Sequence, residues 1–188
     1  MKLTKALFLT AAILLLAFTV TLQSCKPKCE NNPDDPECAD PQEVITTLKV
    51  LVKDTNNVLL NTYQFKDADN NGTPEVFDTI KIGANAAYNV SVEVWDDSKT
   101  PADNITEEVE SEKDEHGFFF DTHNVTIAIS YLDQDDNGLP VGLLTRWVTG
   151  NANLGHVTVT LKHQPGVKDG TSTPGETDAE VMFPVVIQ

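Results

Sequence analysis

The chain has 188 residues and a formal net charge of −16, from 29 Asp and Glu against 13 Lys and Arg. That length holds one domain with a real core and leaves no room for two comfortable ones. A surface this acidic repels phosphate backbones, which argues against nucleic acid as a partner, and it attracts cations.

Residues 1–24 read as a secretory signal. Lys2 and Lys5 precede an apolar run over residues 6–20, and the small Ser24 sits directly before Cys25. The run is shorter than the about 20 residues a membrane-spanning helix needs. Leu22-Gln23-Ser24-Cys25 resembles the lipobox of bacterial lipoproteins. In that family the signal is cut before the cysteine, its sulfur is diacylated with palmitate-like chains, and the new amino end is usually acylated. The resemblance makes Cys25 the first mature residue and the membrane anchor. Two acyl chains give stable attachment, each buried methylene contributing about 0.8 kcal/mol. Lys26, not Asp, follows the cysteine, so the resemblance implies the outer membrane, on its periplasmic or cell-surface face. Losing Lys2 and Lys5 with the signal takes the net charge to −18.

Residues 25–43 read as a lipidated, disordered tether. After Cys25 the stretch KPKCENNPDDPECADPQE carries four prolines among acidic and amide residues, with almost nothing apolar to bury. Cys29 and Cys38 lie close together in an exported compartment, where a disulfide between them is expected. It would contribute at most about 3 kcal/mol by loop entropy, and two free thiols are the alternative. Asp34, Asp35 and Glu37 resemble the acidic surface-export signals of Bacteroidota lipoproteins, which lie closer to the cysteine.

Residues 44–188 carry the period-two signal of half-buried strands. Leu48, Val50 and Val52 share one side of the first. Leu59, Tyr63 and Phe65 mark a second, and Ile80 and Ile82 a short third. Tyr88, Val90, Val92 and Val94 alternate with polar residues, as do Val125, Ile127, Ile129 and Tyr131. Residues 143–148 form another strand around Trp147. Val157, Val159 and Leu161 precede a terminal strand with Val181, Phe183, Val185 and Ile187. Short strands parted by Asp, Asn, Gly and Pro turns predict an all-β fold, a single immunoglobulin-like β-sandwich. One segment departs. Residues 101–116 are rich in Glu, with Ile105 and Val109 four apart, and predict one short acidic helix begun near Thr100 with Pro101 at its first position. Phe118, Phe119 and Phe120 then enter the core as a strand.

Two constellations suit metal ions. Asp67, Asp69, Asn71, Glu75 and Asp78 occupy loop positions 1, 3, 5, 9 and 12, with Gly72 at 6. Calcium loops use this spacing because alternate side chains converge on one ion while the glycine turns the chain. Asp78 is shorter than the bidentate Glu of such loops, and Asx-stabilised turns favour the same residues. Asp133, Asp135 and Gly138 repeat the opening but place Leu144 at the twelfth position. The second constellation is Glu112 and His116, one turn apart on the predicted helix, with Glu108 continuing the face. An imidazole with carboxylates suits zinc, copper or nickel. His123, His156 and His163 are the further nitrogen donors.

The frames of common enzymes are missing: no GxSxG, HExxH, P-loop or GxGxxG occurs. The stretches ITEEVESEKDEHGFFF, DQDDNGLPVGL and VTVTLKHQPG resemble small lipoproteins of flavobacterial Bacteroidota. Some of these are loosely labelled a type 1 periplasmic binding fold, an architecture whose strand–helix alternation this chain lacks. The resemblance implies a non-enzymatic binding module beside a TonB-dependent outer-membrane receptor, handling a small ligand or a divalent cation such as calcium. A structural or adhesive envelope module without a small ligand is the alternative.

Overall fold

The alternation becomes strand almost wherever the sequence places it. A computed structural model describes residues 43–188, which contain ten strands and one helix. In chain order these are β1 (Thr47–Lys53), β2 (Leu59–Lys66), β3 (Val76–Phe77), β4 (Ile80–Ile82) and β5 (Ala87–Trp95). Then come α1 (Ile105–Ser111), β6 (His116–His123), β7 (Ile127–Tyr131), β8 (Leu144–Thr149), β9 (Asn153–His163) and β10 (Glu176–Ile187). The lipidation at Cys25, the Cys29–Cys38 pair and the signal lie outside the described residues. Among the described residues no helix is long and apolar enough to cross a membrane.

Two sheets pack together. One runs β3-β2-β1-β5-β8-β7 and the other β4-β10-β9-β6. Neighbouring strands are antiparallel, except that β4 lies parallel to β10. Register puts like on like. Leu48, Val50 and Val52 of β1 face Val94, Val92 and Val90 of β5 across the ladder. Their apolar side joins Val157, Val159 and Leu161 of β9 and Val181, Phe183 and Val185 of β10 in one core. Each such side chain contributes about 1.5–3 kcal/mol by leaving water. Trp147 is wholly buried, its indole N–H donating to Thr145 Oγ1 at 3.0 Å, and Phe120 meets it edge-on with centroids 6.1 Å apart. The last strand is held between β4 and β9, and Gln188 N–H donates to the Ile82 carbonyl at 3.0 Å, so the C-terminus is tied down.

β3, inside the predicted cation loop, is a strand the sequence reading did not place, and three features of α1 and β10 also differ. The helix starts four residues after Pro101. Asp96 first accepts the backbone N–H and hydroxyl of Ser98, and its backbone pairs with that of Asp103, so residues 96–103 form a turn. Lys99 stitches that turn by pairing with both aspartates. Asn104 then begins α1 without a side-chain cap. The helix also stops early: Glu112 is its C-cap and His116 opens β6, so the two are not one helical turn apart. Finally, β10 carries a register shift between Thr177 and Ala179, with Asp178 at the bulge. Such a bulge re-aims a side chain.

Candidate metal centre

His116 sits at the joint between α1 and the second sheet. After the helix, the chain turns tightly: the N–H groups of Glu115 and His116 both donate to the Glu112 carbonyl, at 2.8 and 3.1 Å. This drops the imidazole into the interior, where it has no exposure. In the ladder His116 pairs with His163, and the two rings stack 4.7 Å apart at 10°. Neighbouring stacked rings of this kind hold the imidazole plane fixed.

Acidic groups address both ring nitrogens. Nδ1 lies 3.4 Å from the Glu112 carbonyl oxygen and 3.9 Å from Glu112 Oε2. Nε2 lies 3.9 Å from Glu43 Oε1 and 3.9 Å from Asp178 Oδ2. Those separations are too long for hydrogen bonds. The two carboxylates are deeply placed, with side chains 6% and 1% exposed. The β10 bulge delivers Asp178. Just before it, Gly175 adopts φ +76° with its Cβ position against the His163 carbonyl oxygen, a close approach that only glycine allows. Lys162 steadies the same entry by donating to the Gly175 carbonyl and the Thr177 hydroxyl at 3.0 and 3.1 Å.

Glu43 links two groups of acids. One of its oxygens, Oε2, is buried and has no hydrogen-bond partner among the described residues. Donor atoms of Glu43, His116 and Asp178 lie within 4.8 Å of one another, and so do those of Glu43, Glu108 and Glu112. A cleft of about 240 Å³ opens onto Glu43 and Glu108, with the Asp96–Lys99–Asp103 turn on its other wall. Burial raises the Asp96 carboxyl, but hydrogen bonds from Ser98 and Lys99 outweigh it and hold the group below the usual carboxylate range.

No protein-family model, no curated protein and no solved structure matches the chain. The site therefore rests on its own geometry.

The structure brings Glu112 and His116 together as expected, but through a turn, and it adds Glu43 and Asp178. Glu43, read as the last tether residue, packs against the body. Neither residue was legible as a ligand. Glu43 follows a proline-rich stretch, and regular alternation with Val181 and Phe183 puts Asp178 on the outer side. His163 joins His116, whereas His123 and His156 pair with each other at the far, exposed end of the same strands.

The two acidic loops resolve differently. In the first, Asp67, Asp69 and Glu75 have oxygens within 4.8 Å of one another. Asp67 also accepts the N–H groups of Asn71 and Gly72 at 3.1 and 2.8 Å, and Glu75 accepts that of Ala68 at 2.9 Å. The Asn71 amide donates to Asp69 at 2.7 Å. Asp78 is not drawn in; it accepts the Gln64 N–H at 2.9 Å and ties β3 to β2. In the second loop, Asp133 accepts the N–H groups of Gly142 and Leu144, each at 2.8 Å. Asp135 accepts those of Asn137 and Leu139 and pairs with Lys168 at 3.0 Å. That ammonium compensates the Asp135 charge. Burial raises the Asp135 carboxyl, yet Lys168 and the backbone donors prevail and keep it below the carboxylate range.

Proposed function

We propose that this chain is a lipid-anchored cell-envelope protein whose body, a single immunoglobulin-like β-sandwich, is a non-enzymatic binding module. It captures a divalent cation or small ligand beside an outer-membrane receptor of the TonB-dependent kind, with Cys25 as the anchor. One observation carries the binding role: an interior imidazole flanked by two deeply placed carboxylates, beside a cleft that opens to solvent. Burying so much negative charge is costly unless a cation compensates it. The basic start, apolar run and Ser24-Cys25 junction support the anchor. The net charge of −16 supports cation capture and opposes nucleic acid. The oxygens gathered at Asp67, Asp69 and Glu75 support calcium as a second cation.

A structural or adhesive role draws on a different observation. Val58, Leu59 and Leu60 are consecutive and each more than half exposed, at 58%, 52% and 56%. An exposed apolar run favours a protein partner.

Radiolabelled palmitate tests the anchor: it labels the wild-type protein in its native membrane and fails to label Cys25→Ser. Gentle detergent extraction and affinity capture of the lipidated protein then separate the two roles. Recovery of a β-barrel receptor supports capture, and recovery of envelope scaffold proteins alone supports the structural role.

A further inference from the structure

We infer that Glu43, His116 and Asp178 bind one divalent transition-metal ion of the zinc class, with His116 coordinating through Nε2. This rests on the reading of the body as a binding module and specifies its ligand. The donor set decides the class. Calcium and magnesium take oxygen ligands, whereas an imidazole with carboxylates suits zinc, nickel, cobalt or copper. The ring orientation agrees. Nδ1 faces the Glu112 carbonyl at 3.4 Å, so a proton there directs the Nε2 lone pair at Glu43 and Asp178. Metal-bound histidines are generally fixed by such a contact from the other ring nitrogen.

The spacing agrees as well. A tetrahedral zinc with ligands at about 2.0–2.1 Å holds donor atoms about 3.3 Å apart. The two 3.9 Å separations close to that value with shifts of about half an ångström. Among the described residues Glu43 Oε2 is buried without a hydrogen-bond partner, an independent sign that this oxygen is available to a ligand. Glu112 Oε2, 3.9 Å from Nδ1, lies on the opposite side of the ring and steadies it without ligating. Because Glu43 lies where the chain enters the body, the ion also fastens that entry to β6 and β10.

The full chain, purified in detergent and stripped with a chelator, is titrated with zinc and with cobalt. One ion of either binds per chain, cobalt gains visible d–d absorption, and millimolar calcium displaces neither. Glu43→Gln and Asp178→Asn each weaken zinc binding by more than about a hundredfold, beyond the about 10–100-fold that loss of a supporting partner costs. His116→Asn abolishes the cobalt spectrum. Asp67→Asn with Glu75→Gln leaves zinc binding unchanged. Glu43 precedes the first strand, so Glu43→Gln reports on the site even where a strand variant fails to fold. Absence of zinc binding overturns the inference, and so does equal affinity in wild type, Glu43→Gln and Asp178→Asn. If zinc fails while the native membrane still yields a receptor, the metal assignment falls and the capture role stands.

Discussion

Asp135 and Asp178 are both carboxylates taken almost entirely out of water, with side chains 0% and 1% exposed. Their neighbours differ in kind. Asp135 meets the ammonium of Lys168 at 3.0 Å, and the loop around it is closed by backbone donors. Asp178 meets the imidazole of His116 at 3.9 Å, and Glu43 crowds the same nitrogen. An imidazole is exchangeable in a way an ammonium is not: it is neutral, protonated or metal-bound according to conditions. One loop has its cation built into the chain. At the bulge of β10, Asp178 has a ring nitrogen and a second carboxylate beside it instead.

The sharpest way to break this contrast is to remove the built-in cation. Lys168→Met leaves the Asp135 charge buried, and its ammonium also donates to the Lys113 carbonyl at 2.6 Å. Removing one partner of a buried pair costs about 3–5 kcal/mol. The urea midpoint should fall accordingly, and adding Asp135→Asn should restore part of the loss, less than additivity predicts.

Zinc should act on the other region alone. At a hundred times its dissociation constant, a ligand specific for the native state adds about 2.7 kcal/mol. Thermal unfolding of wild type should shift upward with zinc, Asp178→Asn should shift far less, and Lys168→Met should respond in full from its lower starting point.

Acid discriminates next. The folded Asp135 carboxyl lies below its ordinary value of 3.8, so its stabilisation is complete above that pH and is lost as pH falls through the depressed folded value. Denaturation followed between pH 5 and pH 2 should show a steeper loss in wild type than in Asp135→Asn. The smallest effect belongs to the surface. Lys113 pairs with Asp136 on the same loop as Asp135, but that pair is exposed. Lys113→Ala should leave the urea midpoint almost unchanged, and salt should erase any difference.

Most of the scaffold was legible because a half-buried strand writes itself every second residue. Leu48, Val50 and Val52, or Val181, Phe183 and Val185, need no partner in view to declare their face. The Glu-rich segment showed helix, and Ile105 and Val109 are its buried pair. Its start was misplaced because Pro101 resembles a first helical residue, while the backbone pair of Asp96 and Asp103 encloses it in a turn. The centre was half legible. Glu112 and His116 are near in sequence and drew notice for that. Asp178 depends on a bulge, which breaks the period that would betray it, and Glu43 depends on a fold that its own neighbours do not encode. Lys168 was hidden for a related reason. Asp133 and Asp135 read as a cation loop, and only the tertiary fold brings in the ammonium that completes it.

The most direct test of the central claim is crystallographic. Crystals of the full chain grown with zinc are measured on both sides of the zinc absorption edge. The account predicts one anomalous peak between His116 Nε2, Glu43 and Asp178, about 2.0–2.1 Å from each donor atom. A peak confined to Asp67, Asp69 and Glu75, or an ordered His116 site without one, would contradict it.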